Sequence, residues 1–168
     1  IQNIGALSSS KDHSKKLTLF GAVGIQPSLE AGIIRLDSTI AQGEYLQDND
    51  KYGILISTNA AKQLNADIGD KLLLSSGLST TGVSIVGFFE DKRLAQIKDI
   101  DGEFWMPRKL VMIEGEIPTV DVRLCDPAEM VITNWQTARE LFPLVSLSRV
   151  DIQPVSYTHL TLPTNREV

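Results

Sequence analysis

The clearest alternation of apolar and polar positions runs through residues 52–89, YGILISTNAAKQLNADIGDKLLLSSGLSTTGVSIVGFF. Gly53-Ile54-Leu55-Ile56-Ser57 is a short apolar run, the pattern of a strand covered on both faces. Ser57, Thr58 and Asn59 can each accept a bond from the free N–H groups of a new helix, and Ala60 to Leu64 are mostly good helix formers. Asn65 suits a left-handed stop. The turn Ala66-Asp67-Ile68-Gly69-Asp70 follows, with Gly69 free to take positive φ. Residues 71–75 and 83–89 read as two further strands joined by a polar loop over 76–82. The pattern predicts one compact unit whose small helix plugs one end of a sheet through Leu64 and Ile68.

The flanking segments are less regular. Residues 1–14 are polar, with Ser8-Ser9-Ser10, and read as a loop; residues 17–25 read as a strand broken near Gly21 or Gly24. A turn or helical start follows at 27–30, then an apolar segment at 33–36 and a brief helical turn at Asp37-Ser38-Thr39 before Gly43. Residues 47–51 read as a solvated loop. Downstream, 94–100 reads as a short helix or an irregular edge, and Asp101-Gly102 marks a tight turn. Pro107 keeps Phe104-Trp105-Met106 from being a central strand. Strands are expected at 110–113 and 119–124, and an extended piece at 130–132. A helix capped by Thr133 or Asn134 is expected over 135–142, with Trp135, Ala138, Leu141 and Phe142 on its apolar face. A last alternating strand is expected over 145–152.

The 168 residues suit one domain, or one domain with a small inserted lobe. A net charge of −5, with Lys and Arg scattered, argues against a nucleic-acid surface, which needs a basic stripe. No apolar run of about 18 residues is present, so no membrane span is expected within these residues, and the opening IQNIGALSSS lacks the pattern of a signal peptide. Ile1 in place of an initiator methionine predicts a chain that begins mid-protein. The single cysteine, Cys125, excludes an internal disulfide and a multi-cysteine zinc site. Residues 155–164, VSYTHLTLPT, resemble the translation of a transposase adapter used in short-read library preparation. On that reading residues 155–168 are a non-native tail, Tyr157 and His159 carry no function, and His13 is the one native histidine.

Chemistry-bearing patterns are few. The chain has no G-x-G-x-x-G after a strand, no Walker A loop, no H-E-x-x-H and no G-x-S-x-G. A histidine-based catalytic site would have to use His13, in a polar loop that holds a base poorly. Cys125 lies at a strand end before Asp126-Pro127 and reads as a space-filling thiol. Asp99, Asp101 and Glu103 alternate around Gly102, but a calcium loop needs a bidentate Glu where Leu110 stands, so a solvated turn is the better reading. Asp67 and Asp70 flank Gly69 as turn and cap residues. Phe104 and Trp105 are the candidate interaction surface, and Trp135 is expected in the core. No catalytic, cofactor or metal residue is assigned, and no cofactor is expected.

One family resemblance comes through the 52–89 unit. Gly53-Ile54-Leu55-Ile56-Ser57, Ala60-Ala61, Leu64, Ile68-Gly69-Asp70, Leu72-Leu73-Leu74 and Val83-Ser84-Ile85-Val86-Gly87-Phe88 resemble the extracytoplasmic domain of FtsX-like ABC transporter permeases. That group includes the macrolide-exporter periplasmic core domain and the lipoprotein-releasing permeases. Upstream, 19–25 and Gly43-Glu44 resemble the family's preceding strand and loop; further matches at 99–108, 125–127 and 134–138 are looser. The resemblance covers roughly residues 17–154. It implies an α+β, periplasmic-core-like fold with a polar opening segment at 1–14. A strand-helix-strand, porter-like lobe would comprise 15–49 and 93–154, with a small β-rich lobe inserted at 50–92. In this motif Ser57, Leu64, Ile68, Gly69, Asp70 and Gly87 are structural.

The function it implies is an exported domain anchored in the cell membrane, coupling ATP-driven motion to substrate export or envelope remodelling. The implied partners are a cytoplasmic ABC ATPase, a second permease subunit, and an extracytoplasmic substrate or adaptor, with no catalysis in these residues. Two other readings stay open. A small β-barrel of the molybdopterin-oxidoreductase type also has a small-residue helix, a Gly-Asp turn and an apolar strand, although 90–154 shows no second Gly-Asp unit. A soluble peptide- or sugar-binding module would use Phe104 and Trp105 together.

Overall fold

The computed structural model describes residues 4–12, 14–77, 79–115 and 117–142. His13, the strand expected over 145–152 and the tail at 155–168 lie outside the described residues. The fold is mixed α+β, dominated by one eight-stranded sheet that curls until it is nearly closed. Its strands are β1 (Gly5–Ser9), β2 (Lys16–Leu19), β3 (Gly21–Ile25), β4 (Ile40–Gly43), β5 (Gly53–Ser57), β6 (Lys71–Ser75), β7 (Thr80–Phe89) and β10 (Met130–Asn134). Strands β8 (Arg108–Ile113) and β9 (Thr119–Leu124) form a separate two-stranded hairpin. Among the described residues there are four short α-helices, α1 (Pro27–Ile33), α2 (Thr58–Leu64), α3 (Asp91–Leu94) and α4 (Trp135–Leu141), and two 3-10 turns at Leu36–Thr39 and Pro127–Glu129.

Strand order forces the curl. The path is β2-β1-β6-β7-β5-β10-β3, so β2 and β3 stand at its two ends, yet Phe20 alone joins them in sequence. Two peptide steps hold Leu19 and Gly21 within about 7.6 Å, whereas six strand spacings of a flat sheet span about 29 Å. Only a sheet that wraps round satisfies both.

β7 is the spine. Its first half pairs antiparallel with β6, from Thr80↔Ser75 to Ser84↔Lys71. Past the end of β6, residues Gly87 to Phe89 pair with β4. Along its other edge β7 runs parallel to β5, with the register shifting between Ile54↔Ile85 and Leu55↔Gly87. Val86 is the extra residue of that bulge, and its carbonyl accepts from the Glu44 N–H at 3.1 Å.

Two cores use the two faces of this sheet. Ile54 and Ile56 of β5 and Val131 of β10 face the first, together with Leu7, Leu19, Leu64, Leu72, Leu74 and Ile85. Leu55, Met130 and Ile132 point the other way, into the second, with Ile25, Leu36, Phe89, Leu94 and Trp105. Burial on both sides explains why all five residues of β5 and of β10 are buried and why both read as unbroken apolar runs.

Several expectations need correction. Residues 5–9 are not a loop but an interior strand, paired with both β2 and β6; partners on both edges outweigh a serine-rich composition, and Leu7 is fully buried. Leu64 is core, but Ile68 is exposed and lies over the turn of Gly43. Trp135 is exposed, because it opens α4 at the sheet's rim, where Arg139 lies 5.5 Å from its ring centre; Thr137 and Leu141 are the helix's buried residues. Asp99 is buried rather than solvated, and its carboxylate accepts from the Ile100 N–H.

Candidate functional site

The motif residues of 53–88 are drawn together at the spine. Ser57 is fully buried, and its Oγ accepts from the Ala60 N–H at 2.9 Å, capping α2. Asn65 ends that helix in the left-handed conformation at φ 49°. The turn behind it is fastened to β7 by two bonds: the Gly69 N–H donates to the Ile85 carbonyl and the Ile85 N–H to the Asp70 carbonyl, at 2.9 and 3.0 Å. Gly69 takes φ +84°. The Asp70 carboxylate accepts from the Asp67 N–H at 3.0 Å and from Lys11 Nζ at 2.5 Å. The Asp67 N–H first, and the Lys11 ammonium next, hold its carboxyl below the ordinary carboxylate range. Gly87 serves a different purpose. A Cβ there would stand 2.3 Å from the Glu44 carbonyl oxygen, so glycine lets the chain after β4 cross β7 closely. The Lys11 ion pair apart, these polar groups bond to the backbone around them.

A shallow cavity of about 250 Å³ opens beside α2, lined by Gln42, Thr58, Lys62, Asn65, Asp67 and Phe88. That is below the range of about 300–1,000 Å³ usual for small-molecule sites. Cys125 is buried, and loss of solvent pushes its thiol up to about 11, away from nucleophilic character. Among the described residues, no three His, Cys, Asp or Glu side chains are placed to hold a metal ion.

Phe104 and Trp105 part company. Trp105 packs in the second core at 8% exposure, while Phe104 is 45% exposed with Lys98 Nζ 5.5 Å from its ring centre. Of the pair, only Phe104 belongs to a surface.

The larger apolar surface lies on the β8–β9 hairpin. Antiparallel register sets Leu110 opposite Val122 and Met112 opposite Val120. Alternation puts all four on one face, and each is between 54% and 62% exposed. The opposite face carries Lys109, Val111, Asp121 and Arg123, of which Lys109, Val111 and Asp121 are half-buried. The usual arrangement is reversed: the apolar face looks outward. Contiguous exposed apolar side chains of this kind mark contact surfaces.

The hairpin is firmly rooted. The Cys125 N–H donates to the Pro107 carbonyl at 2.8 Å across its base. A Cβ on Gly21 would sit 2.7 Å from Pro107 Cγ, so the base lies directly on β3. Lys109 pairs with Glu129 and its ammonium stands 4.8 Å from the centre of the Phe20 ring. The Phe20 N–H donates to the Glu129 carbonyl at 2.9 Å. The residue that joins the two ends of the sheet is thus held by the hairpin's root.

The alternation at 119–124 was the available sequence signal for this surface, but it specifies two faces without saying which is covered. Among the described residues, no helix is long and apolar enough to cross a membrane. The chain matches no protein-family model and no curated protein.

Proposed function

We propose that this chain is the extracytoplasmic domain of an FtsX-like ABC transporter permease and that it acts mechanically. ATP-driven closure of a cytoplasmic ATPase would move the domain against an extracytoplasmic substrate or adaptor. The observation that carries this reading is where the motif residues sit. Ser57, Gly69, Asp70 and Gly87 cap, fasten and bring together the strands of the spine, a stiff element suited to transmitting a displacement. The outward hairpin supplies a contact surface joined to that frame through Phe20 and Gly21. The division into a porter-like lobe, 15–49 with 93–154, and a β-rich lobe, 50–92, belongs to this proposal. Both cores draw on both sets: Leu19, Val131 and Leu141 of the first set lie in the first core with Ile54 and Leu64, and Leu55 and Phe89 of 50–92 lie in the second with Leu36 and Trp105. The strands of 50–92 also share their sheet with the flanking segments, so the two lobes of this proposal would move as one joined body.

Reading the gene across both ends of this chain tests the proposal. The expected result is an apolar span of about 20 residues beyond each end. Soluble sequence on both sides would overturn it.

A second reading, a barrel domain of the molybdopterin-oxidoreductase type, is favoured by one feature. β5–α2 and β10–α4 are both apolar strands leading into seven-residue helices capped by the strand's last side chain, and their strands pair antiparallel about Leu55↔Ile132. A second Gly-Asp unit read downstream in the same gene would support that alternative.

A further inference from the structure

We propose that the outward face of the β8–β9 hairpin binds the same face of a second copy of this chain, the two hairpins lying antiparallel about a two-fold axis. Along β8 the outward residues are Arg108, Leu110 and Met112, and the exposed Glu114 follows directly after the strand's last residue, Ile113. The row runs from a cation at the root, through two apolar side chains, to an anion at the tip. Val122 and Val120 of β9 lie beside the apolar pair. A two-fold axis through the centre of this face sets four apolar side chains on four. It also sets Arg108 of each copy over Glu114 of the other. A parallel arrangement would gather both Arg108 side chains at one end and both Glu114 side chains at the other, so charge selects the antiparallel one. A patch that is self-complementary about a two-fold axis is what an isologous dimer requires.

The Arg108–Glu103 ion pair at 3.2 Å does not block this. Both side chains are mostly exposed, and such pairs contribute little and exchange readily. A hairpin face covers less than the roughly 800 Å² per partner of a standard interface, so the association is of the weak, concentration-dependent class. The inference does not rest on the transporter reading; a soluble domain bearing this hairpin would pair in the same way.

Sedimentation equilibrium on the chain from about 5 to about 500 μM tests it. The expected result is a weight-average mass that rises toward twice the monomer's. Met112→Asp, at the centre of the face, should abolish the rise while leaving the far-ultraviolet spectrum and melting temperature unchanged. If that variant fails to fold, Val120→Lys addresses the same face from the other strand. Arg108→Glu and Glu114→Arg should each weaken association about tenfold or more, and the double exchange should restore it.

Four results would each overturn the proposal. The chain could remain monomeric throughout, or its dimer could survive both Met112→Asp and Val120→Lys. The double exchange could fail to rescue the singles. A monomer that co-sediments with phosphatidylcholine vesicles through Met112 would make the occupant of this face a lipid surface instead.

Discussion

Two glycines on the spine are required for different reasons, and substitution separates them. A Cβ added at Gly69 meets nothing within 4 Å, so its cost is backbone strain at φ +84° alone. Gly69→Val should therefore destabilise by about 1–2 kcal/mol. At Gly87 the backbone is ordinary but a Cβ would lie 2.3 Å from the Glu44 carbonyl oxygen. Gly87→Ala should cost about 2–3 kcal/mol, because β4 must move away from β7. Urea midpoints at unchanged slope would read both values. Asp70 adds a pH dependence. Its pKa is lowered on folding, by the Asp67 N–H and then by Lys11. Its contribution is thus fully present above the unfolded pKa of about 3.9 and lost as pH falls through the folded value. The stability gap between the wild type and Asp70→Asn should be open at neutral pH and close as the solution is acidified below the unfolded value. A gap that stays constant with pH would show that the carboxylate charge contributes nothing.

Caps distinguish the two strand–helix units at the scale of elements. The Ser57 side chain caps α2 through the Ala60 N–H, whereas that of Asn134 caps α4 through the Gln136 N–H and also donates to the Asp48 carbonyl at 2.7 Å. Ser57→Ala should cost about 1 kcal/mol. Asn134→Ala, which also removes one tether of the loop at 47–50, should cost about 2 kcal/mol. Thermal melts of the two variants side by side would check the order. This is also the scale at which the sequence was most readable. The bounds of β5, the Ser57 cap, the Asn65 stop, the positive φ of Gly69 and the strand at 71–75 follow from neighbours a few residues away. Capping and turn chemistry are local, and local information is in the sequence. β1 was not readable, since Gly5-Ala6-Leu7-Ser8-Ser9 becomes a strand only because β2 and β6 offer edges on both sides. The site divided in the same way. Trp105 and Phe104 are adjacent and equally apolar in sequence, and only the packing under α3 decides which is buried. The outward turn of the hairpin was hidden for a related reason: alternation is symmetric between a strand's two faces.

The whole molecule is governed by a single-residue junction. Phe20 joins opposite ends of the sheet, and no pattern within 17–25 announces that β2 and β3 belong to different ends. The curl places β7 and β5 between two cores and leaves the β8–β9 hairpin outside the sheet, held at its root by Lys109, Glu129 and Gly21. A mechanical role requires this division of labour: a spine that does not open on its own and a contact element that is free to meet a partner. Native-state hydrogen exchange tests that division most directly. The amides of β5 and of 85–89 in β7 should exchange only through global unfolding, their opening free energies tracking the equilibrium stability as denaturant is added. The amides of β8 and β9 should exchange through local opening at much lower free energy. Spine amides that open as easily as those of the hairpin would contradict the account.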